Sequence, residues 1–106
     1  MATHNFYDWR NDYYRASKGS ELEQAALNNM AVLAQTFDEW REICNAVPEG
    51  SALEQTALDN MVVLAQTYND WRDVDYYAPK GSGIKQTAQD NIIALAQVYG
   101  VRLGKT

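Results

Sequence analysis

Thiol, imidazole or metal chemistry needs Cys, His and carboxylate side chains brought together. This chain has one cysteine, Cys44, and one histidine, His4. A thiolate nucleophile needs a base within hydrogen-bond reach, and Cys44 has no histidine in its own stretch of sequence. A zinc site needs three or four ligands at characteristic spacings, and one His plus one Cys at unrelated positions cannot supply them. Gly81-Ser82-Gly83 reads as a helix entry, because it lacks the strand and the lysine of a phosphate-binding loop. No catalytic residue, metal ligand or cofactor-binding residue is therefore assigned, no cofactor is implied, and the chain is not expected to be an enzyme. The 14 acidic and 9 basic residues leave a formal net charge of −5. Phosphate backbones and anionic membrane surfaces repel such a molecule, so nucleic acid and membrane are not the expected partners.

What recurs is a set of side chains at one interval. Gly19-Ser20, Gly50-Ser51 and Gly81-Ser82 stand 31 residues apart (19 to 50, 50 to 81). In the same register Trp9, Trp40 and Trp71 form a column, followed by Arg10, Arg41 and Arg72. Asn29, Asn60 and Asn91 form another, as do Gln24, Gln55 and Gln86 and the set Gln35, Gln66 and Gln97. Evenly spaced arginines suit either anchors for an acidic partner or bridges to nearby Asp and Glu. Tryptophans on an apolar face suit packing between helices, with an aromatic peptide groove as the alternative. The asparagines border an apolar face and are expected to brace a neighbouring helix or the turn between helices. Tyr7, Tyr13, Tyr14, Tyr76 and Tyr77 cluster at the ends of short helical segments, and tyrosine is enriched at interaction surfaces. The candidate partner-binding residues are Arg10, Arg41, Arg72, Tyr14, Tyr76 and Tyr77. The structural columns are Trp9, Trp40 and Trp71 with Asn29, Asn60 and Asn91.

The elements that carry these columns are helices. Ser20 with Glu23 and Ser51 with Glu54 read as capping boxes at the start of a long helix; Lys85 replaces the Glu in the third copy. Leu22, Ala26, Leu27, Met30, Leu33 and Ala34 then follow helical spacing as one apolar face. Thr36 and Thr67, with Glu39 and Asp70 three residues on, open a second, shorter helix. Its first complete copy presents Phe37, Trp40, Ile43, Cys44 and Val47. Pro48 and Pro79 stop it. The spacing predicts long helices near 20–35, 51–66 and 82–99, short ones near 5–16, 37–46 and 68–77, no strand, and a largely buried Trp40 between long helices. The fold class is all-α: tandem helix pairs of 31 residues in a short right-handed superhelical array or a compact helical bundle. Residues 1–106 form one helical-repeat domain. Within it 5–18 are a leading half unit, 19–49 and 50–80 two full units, and 81–106 a trailing half unit that Gly100 breaks.

The helix-pair layout resembles α-solenoid repeats such as tetratricopeptide and HEAT repeats. It departs from the tetratricopeptide pattern in its shorter period and in where Trp, Gly, Tyr and Pro fall. The stretch TFDEWREICNAVPEGSALEQTAL also looks like short Trp-containing tandem repeats of bacterial proteins. What either resemblance implies is a binding scaffold, with no functional residues to transfer.

The ends of the array depart from its interior. Leu27 and Leu58 become Gln89 in the last long helix; Ile43 and Val74 become Asp12 in the first short one. Terminal repeats need polar outer faces, so the substitutions predict capped ends and a monomer. The N-terminal stretch MATHNFYDWR has no apolar run, so no signal peptide is expected, and one thiol fits a reducing, cytoplasmic setting. The function these features suggest is a non-catalytic protein-interaction scaffold for a protein or peptide partner. The alternative is a structural protein that self-associates head to tail through its terminal half units.

Overall fold

Every helix here begins at a side chain that accepts a backbone N–H, and the first five end where the chain turns extended. In the computed structural model, which describes residues 4–99, six helices follow one another: α1 (Phe6–Arg15), α2 (Glu21–Leu33), α3 (Phe37–Ala46), α4 (Ala52–Leu64), α5 (Tyr68–Tyr77) and α6 (Gly83–Tyr99). Among the described residues there is no strand. The short helices start 31 residues apart (6, 37, 68), and so do the long helices α2 and α4 (21, 52). The expected break at Gly100 lies outside the described residues.

The short helices carry complete capping boxes. Thr36 with Glu39 and Thr67 with Asp70 satisfy each other's backbone donors as expected. Asn5 with Asp8 does the same for α1, a box that a search for Ser or Thr passes over. The long helices differ. Ser20 and Ser51 accept the N–H of Glu23 and Glu54 at 3.2 Å, but the two carboxylates do not return to the serine N–H. They accept from Gly19 (2.9 Å) and Gly50 (2.8 Å) one residue earlier. These glycines and Gly81 have φ of 82°, 84° and 79°, the left-handed conformation that costs a residue with a Cβ about 1 kcal/mol or more.

The closest packing joins α1 to α2, α3 to α4 and α5 to α6. Each tight hairpin is therefore a short helix followed by a long one, with the glycine at its turn. The packed pair straddles the glycine that opens each 31-residue sequence unit. Interval alone cannot fix phase: any cut through a periodic chain gives equal units. Ala26, Leu27 and Met30 of α2, Ala57, Leu58 and Met61 of α4, and Phe37, Trp40, Ile43 and Cys44 of α3 are buried. Leu22 and Leu33, expected on the α2 core face, are 52% and 37% exposed. They sit at its margin, about 20–40° beyond Ala26 at 100° per residue. The hairpins stack in a row measuring 54 × 29 × 19 Å with a radius of gyration of 15.9 Å. A globular chain of this length has about 13 Å, so the stack is elongated, and neighbouring hairpins supply its contacts.

Candidate interaction surfaces

The arginine column joins one hairpin to the next. Arg10 Nη1 donates to Glu42 Oε2 at 2.7 Å, and Arg41 Nη1 to Asp73 Oδ2 at 3.1 Å, each 32 positions along the chain. Arg41 also lies 3.6 Å from Asp38. Two of the three candidate anchors are thus held inside the stack, by a carboxylate on the following short helix. Arg72 is exposed, 6.0 Å over the Tyr68 ring, and pairs with no carboxylate among the described residues.

The tyrosines divide in the same way. Tyr13 donates to the Ala46 carbonyl and Tyr77 to Asn45 Oδ1, both at 3.1 Å and both across a hairpin boundary. Burial raises the pKa of each phenol. Tyr14 (61% exposed) and Tyr76 (78%) lie outside the core, each edge-on to its partner tyrosine. Trp40 and Trp71 are buried, and Trp9 is half-buried against the core. His4 packs its ring 4.7 Å from that of Trp9 and sets Nε2 3.3 Å from Asp12 Oδ2.

The asparagine column brings a correction. Among the described residues, Asn29, Asn60 and Asn91 make no hydrogen bond to a neighbouring helix. Each Nδ2 donates to the carbonyl four residues back in its own helix, Ala25, Thr56 or Thr87, at 2.8–2.9 Å. The bond uses the amide nitrogen, so the amide oxygen keeps its capacity as an acceptor. Gln24, Gln55 and Gln86 likewise pair within their helices, with Asn28, Asp59 and Asp90.

Sequence inspection missed the surface around those asparagines. On α2 the residues at Leu22, Ala25, Asn29, Val32 and Leu33 run down one side of the helix at helical spacing. On α4 the same places hold Leu53, Thr56, Asn60, Val63 and Leu64, and on α6 Ile84, Thr87, Asn91, Ala94 and Leu95. No charged residue interrupts the stripe on any of the three helices. Val32 and Val63 are each 80% exposed. The signal that could have found it is the leucine spacing, which the core face also uses.

Cys44 is buried. Burial first, and the Glu54 carboxylate second, push its thiol up to about 12, so it is neutral at physiological pH. No group of three or more His, Cys, Asp or Glu gathers in a metal-holding arrangement among the described residues, and no helix there is long and apolar enough to cross a membrane. No protein-family model, curated protein or solved structure matches the chain.

Proposed function

We propose that this chain is a non-catalytic protein-interaction scaffold of the α-solenoid kind, which binds a protein or peptide partner along its three long helices. The observation that carries the reading is the charge-free stripe on α2, α4 and α6, in which leucine or isoleucine and a pinned asparagine recur on all three helices and an exposed valine on the first two. Exposed apolar side chains that line up from unit to unit mark an interaction surface more than the same residues scattered singly. Stacked repeats use such extended faces to hold extended partners. The arginine column contributes by aligning the hairpins that display the stripe. The raised thiol of Cys44 and its burial favour a structural part for that residue. A single thiol also suits a cytoplasmic setting.

The test is affinity capture from extracts of the native host with the wild-type protein and with Val32→Glu/Val63→Glu. Both valines are exposed, so the helical circular dichroism of the variant should match wild type. A partner retained by wild type and lost by the variant supports the stripe. A partner that both proteins hold equally would move the function to another surface.

A further inference from the structure

Resting on the scaffold reading, we propose that the occupant of the long-helix stripe is a basic peptide segment in extended conformation. Its main chain would meet the asparagines, and its Lys or Arg side chains the acidic residues that border the stripe.

The middle helix shows the surface most plainly. α4 is packed by α3, α5 and α6, yet Val63 is 80% exposed, and Thr56 and Asp59 are exposed as well. Neighbours before and after α4 in the row leave this strip of it open, so the exposure is a property of the interior of the stack.

Charge selects the kind of partner. The charged residues of α2, α4 and α6 are Glu21, Glu23, Glu54, Asp59, Lys85 and Asp90. Glu23 and Glu54 accept from the Gly19 and Gly50 N–H, and Lys85 pairs with Asp75. Those left are Glu21, Asp59 and Asp90, one on each helix, all acidic and all exposed. Each stands one turn before a stripe residue, Ala25, Val63 or Ala94, a spacing that puts the two side chains side by side. Gln55 and Gln86 donate to Asp59 and Asp90 at 2.9 Å, which holds the carboxylates in place and leaves their charge intact. The turn before α6 carries Lys80, which lines a recess with Lys85 and Gln89. Those two lie about 120–180° around the helix from Asn91 and Ala94 at 100° per residue, so this lysine serves another side of α6. Lys18 holds the equivalent place before α2. An apolar strip edged by acids selects a cationic occupant, and the net charge of −5 favours its approach. Exposed Val32 and Val63 suit the aliphatic stems of Lys and Arg.

The asparagines select the conformation. Asn29, Asn60 and Asn91 each spend one amide N–H on their own helix, and each keeps a second N–H and the carbonyl oxygen. A peptide group offers the complementary pair, one acceptor and one donor. Inside a helix that pair is already used; in a single extended segment it is free. A helical partner would leave the asparagines unmatched, and an extended one matches them on successive helices.

Random short peptides displayed on phage and selected on the immobilised full chain supply the probe. Enriched sequences should be rich in Lys or Arg and poor in Asp and Glu. Synthesised and titrated into the isotopically labelled full chain, they should shift the amides of Asp59, Asn60 and Val63. Asp59→Asn/Asp90→Asn should bind them roughly fivefold more weakly, the scale of one exposed ion pair, and with a flatter dependence on salt. Asn60→Ala should also bind roughly fivefold more weakly, the scale of one neutral hydrogen bond, with the salt dependence of wild type. Asp38→Asn/Glu49→Gln removes the same charge at other exposed positions and should bind as wild type does. Val32→Ser/Val63→Ser takes away the apolar contact without adding charge and should weaken binding. Peptides sensitive to that valine pair but acidic, uncharged or helical when bound would overturn the proposal and leave the stripe as the binding face. Peptides indifferent to the valine pair would overturn both. Full affinity for Asp59→Asn/Asp90→Asn, or no enriched sequence, would overturn the basic extended occupant. So would wild-type self-association that Val32→Ser/Val63→Ser abolishes, because the occupant would then be a second copy.

Discussion

Trp40 leaves only 7% of its surface to solvent, in a core it shares with Phe6, Leu27, Met30, Phe37, Ile43, Leu58, Met61 and Trp71. Trp40→Ala should destabilise the protein by about 3–5 kcal/mol, the usual range for large aromatic truncations in cores, measured by denaturant unfolding. A loss within about 0.5 kcal/mol, typical of surface changes, would contradict its burial. Cys44 gives a second residue-scale prediction. Its thiol titrates near 9 when unperturbed and is pushed up to about 12 in the fold. A raised folded pKa means the thiol's stabilising contribution is complete below pH 9 and drains away as pH rises from 9 toward 12. A chromogenic disulfide reagent at pH 8 should leave native Cys44 unreacted and label it at once in denaturant; fast labelling of the folded protein would refute the burial. Residue types predicted these two sites well, because tryptophan and cysteine on an apolar helical face have few other places to go. They predicted the asparagines less well. An amide at the edge of a core can bond outward to a neighbour or back to its own helix, and spacing is the same in both cases. The arginine column suits bridges and anchors alike in the sequence; Arg10 and Arg41 are bridged to partners 32 positions away, which no local pattern reveals.

At the scale of elements, the helix starts and stops were readable because each rests on a local device: a capping side chain, a proline, a left-handed glycine. Gly50 shows how much such a device does. A Cβ built on it meets nothing within 4 Å, so Gly50→Ala is opposed by backbone conformation alone. The substitution should cost about 1 kcal/mol, and Gly50→Asn less, because asparagine tolerates the left-handed region. Thermal or denaturant unfolding of the two variants checks the order; Ala and Asn variants both as stable as wild type would remove the conformational argument. Helix pairing was not readable, since α2 is joined to α1 by one turn and to α3 by another of similar length, and sequence does not say which closes tightly. The same limit hid the charge-free stripe. Leu22 and Leu33 differ from Leu27 by angle around the helix, and only the placement of the neighbouring hairpins decides which of them is covered.

For the whole molecule, stability should behave as hairpin terms plus contacts between neighbours, because the substantial contacts lie within hairpins and between adjacent ones. The Arg41–Asp73 pair tests the coupling: a double-mutant cycle to alanine should return about 0.2–1 kcal/mol, as part-exposed ion pairs do. Asp12 and Gln89 then bear on the oligomeric state. Asp12 sits in a column where Ile43 and Val74 are fully buried, half-exposed and beside His4. Gln89 sits where Leu58 is fully buried, exposed and bonded to Asp75. Joining copies end to end would strip water from both without supplying the apolar contact the interior uses, at a cost of a few kcal/mol for each polar group left unpaired. The wild-type protein should therefore sediment at its monomer mass of 12.0 kDa over a wide concentration range. Asp12→Ile with Gln89→Leu restores the interior pattern at both ends and should produce concentration-dependent, head-to-tail association, while Asp12→Ile alone, with one apolar end and no matching face, should associate much less. A wild-type ring, or a double variant still monomeric at millimolar concentration, would show that these two side chains do not govern assembly.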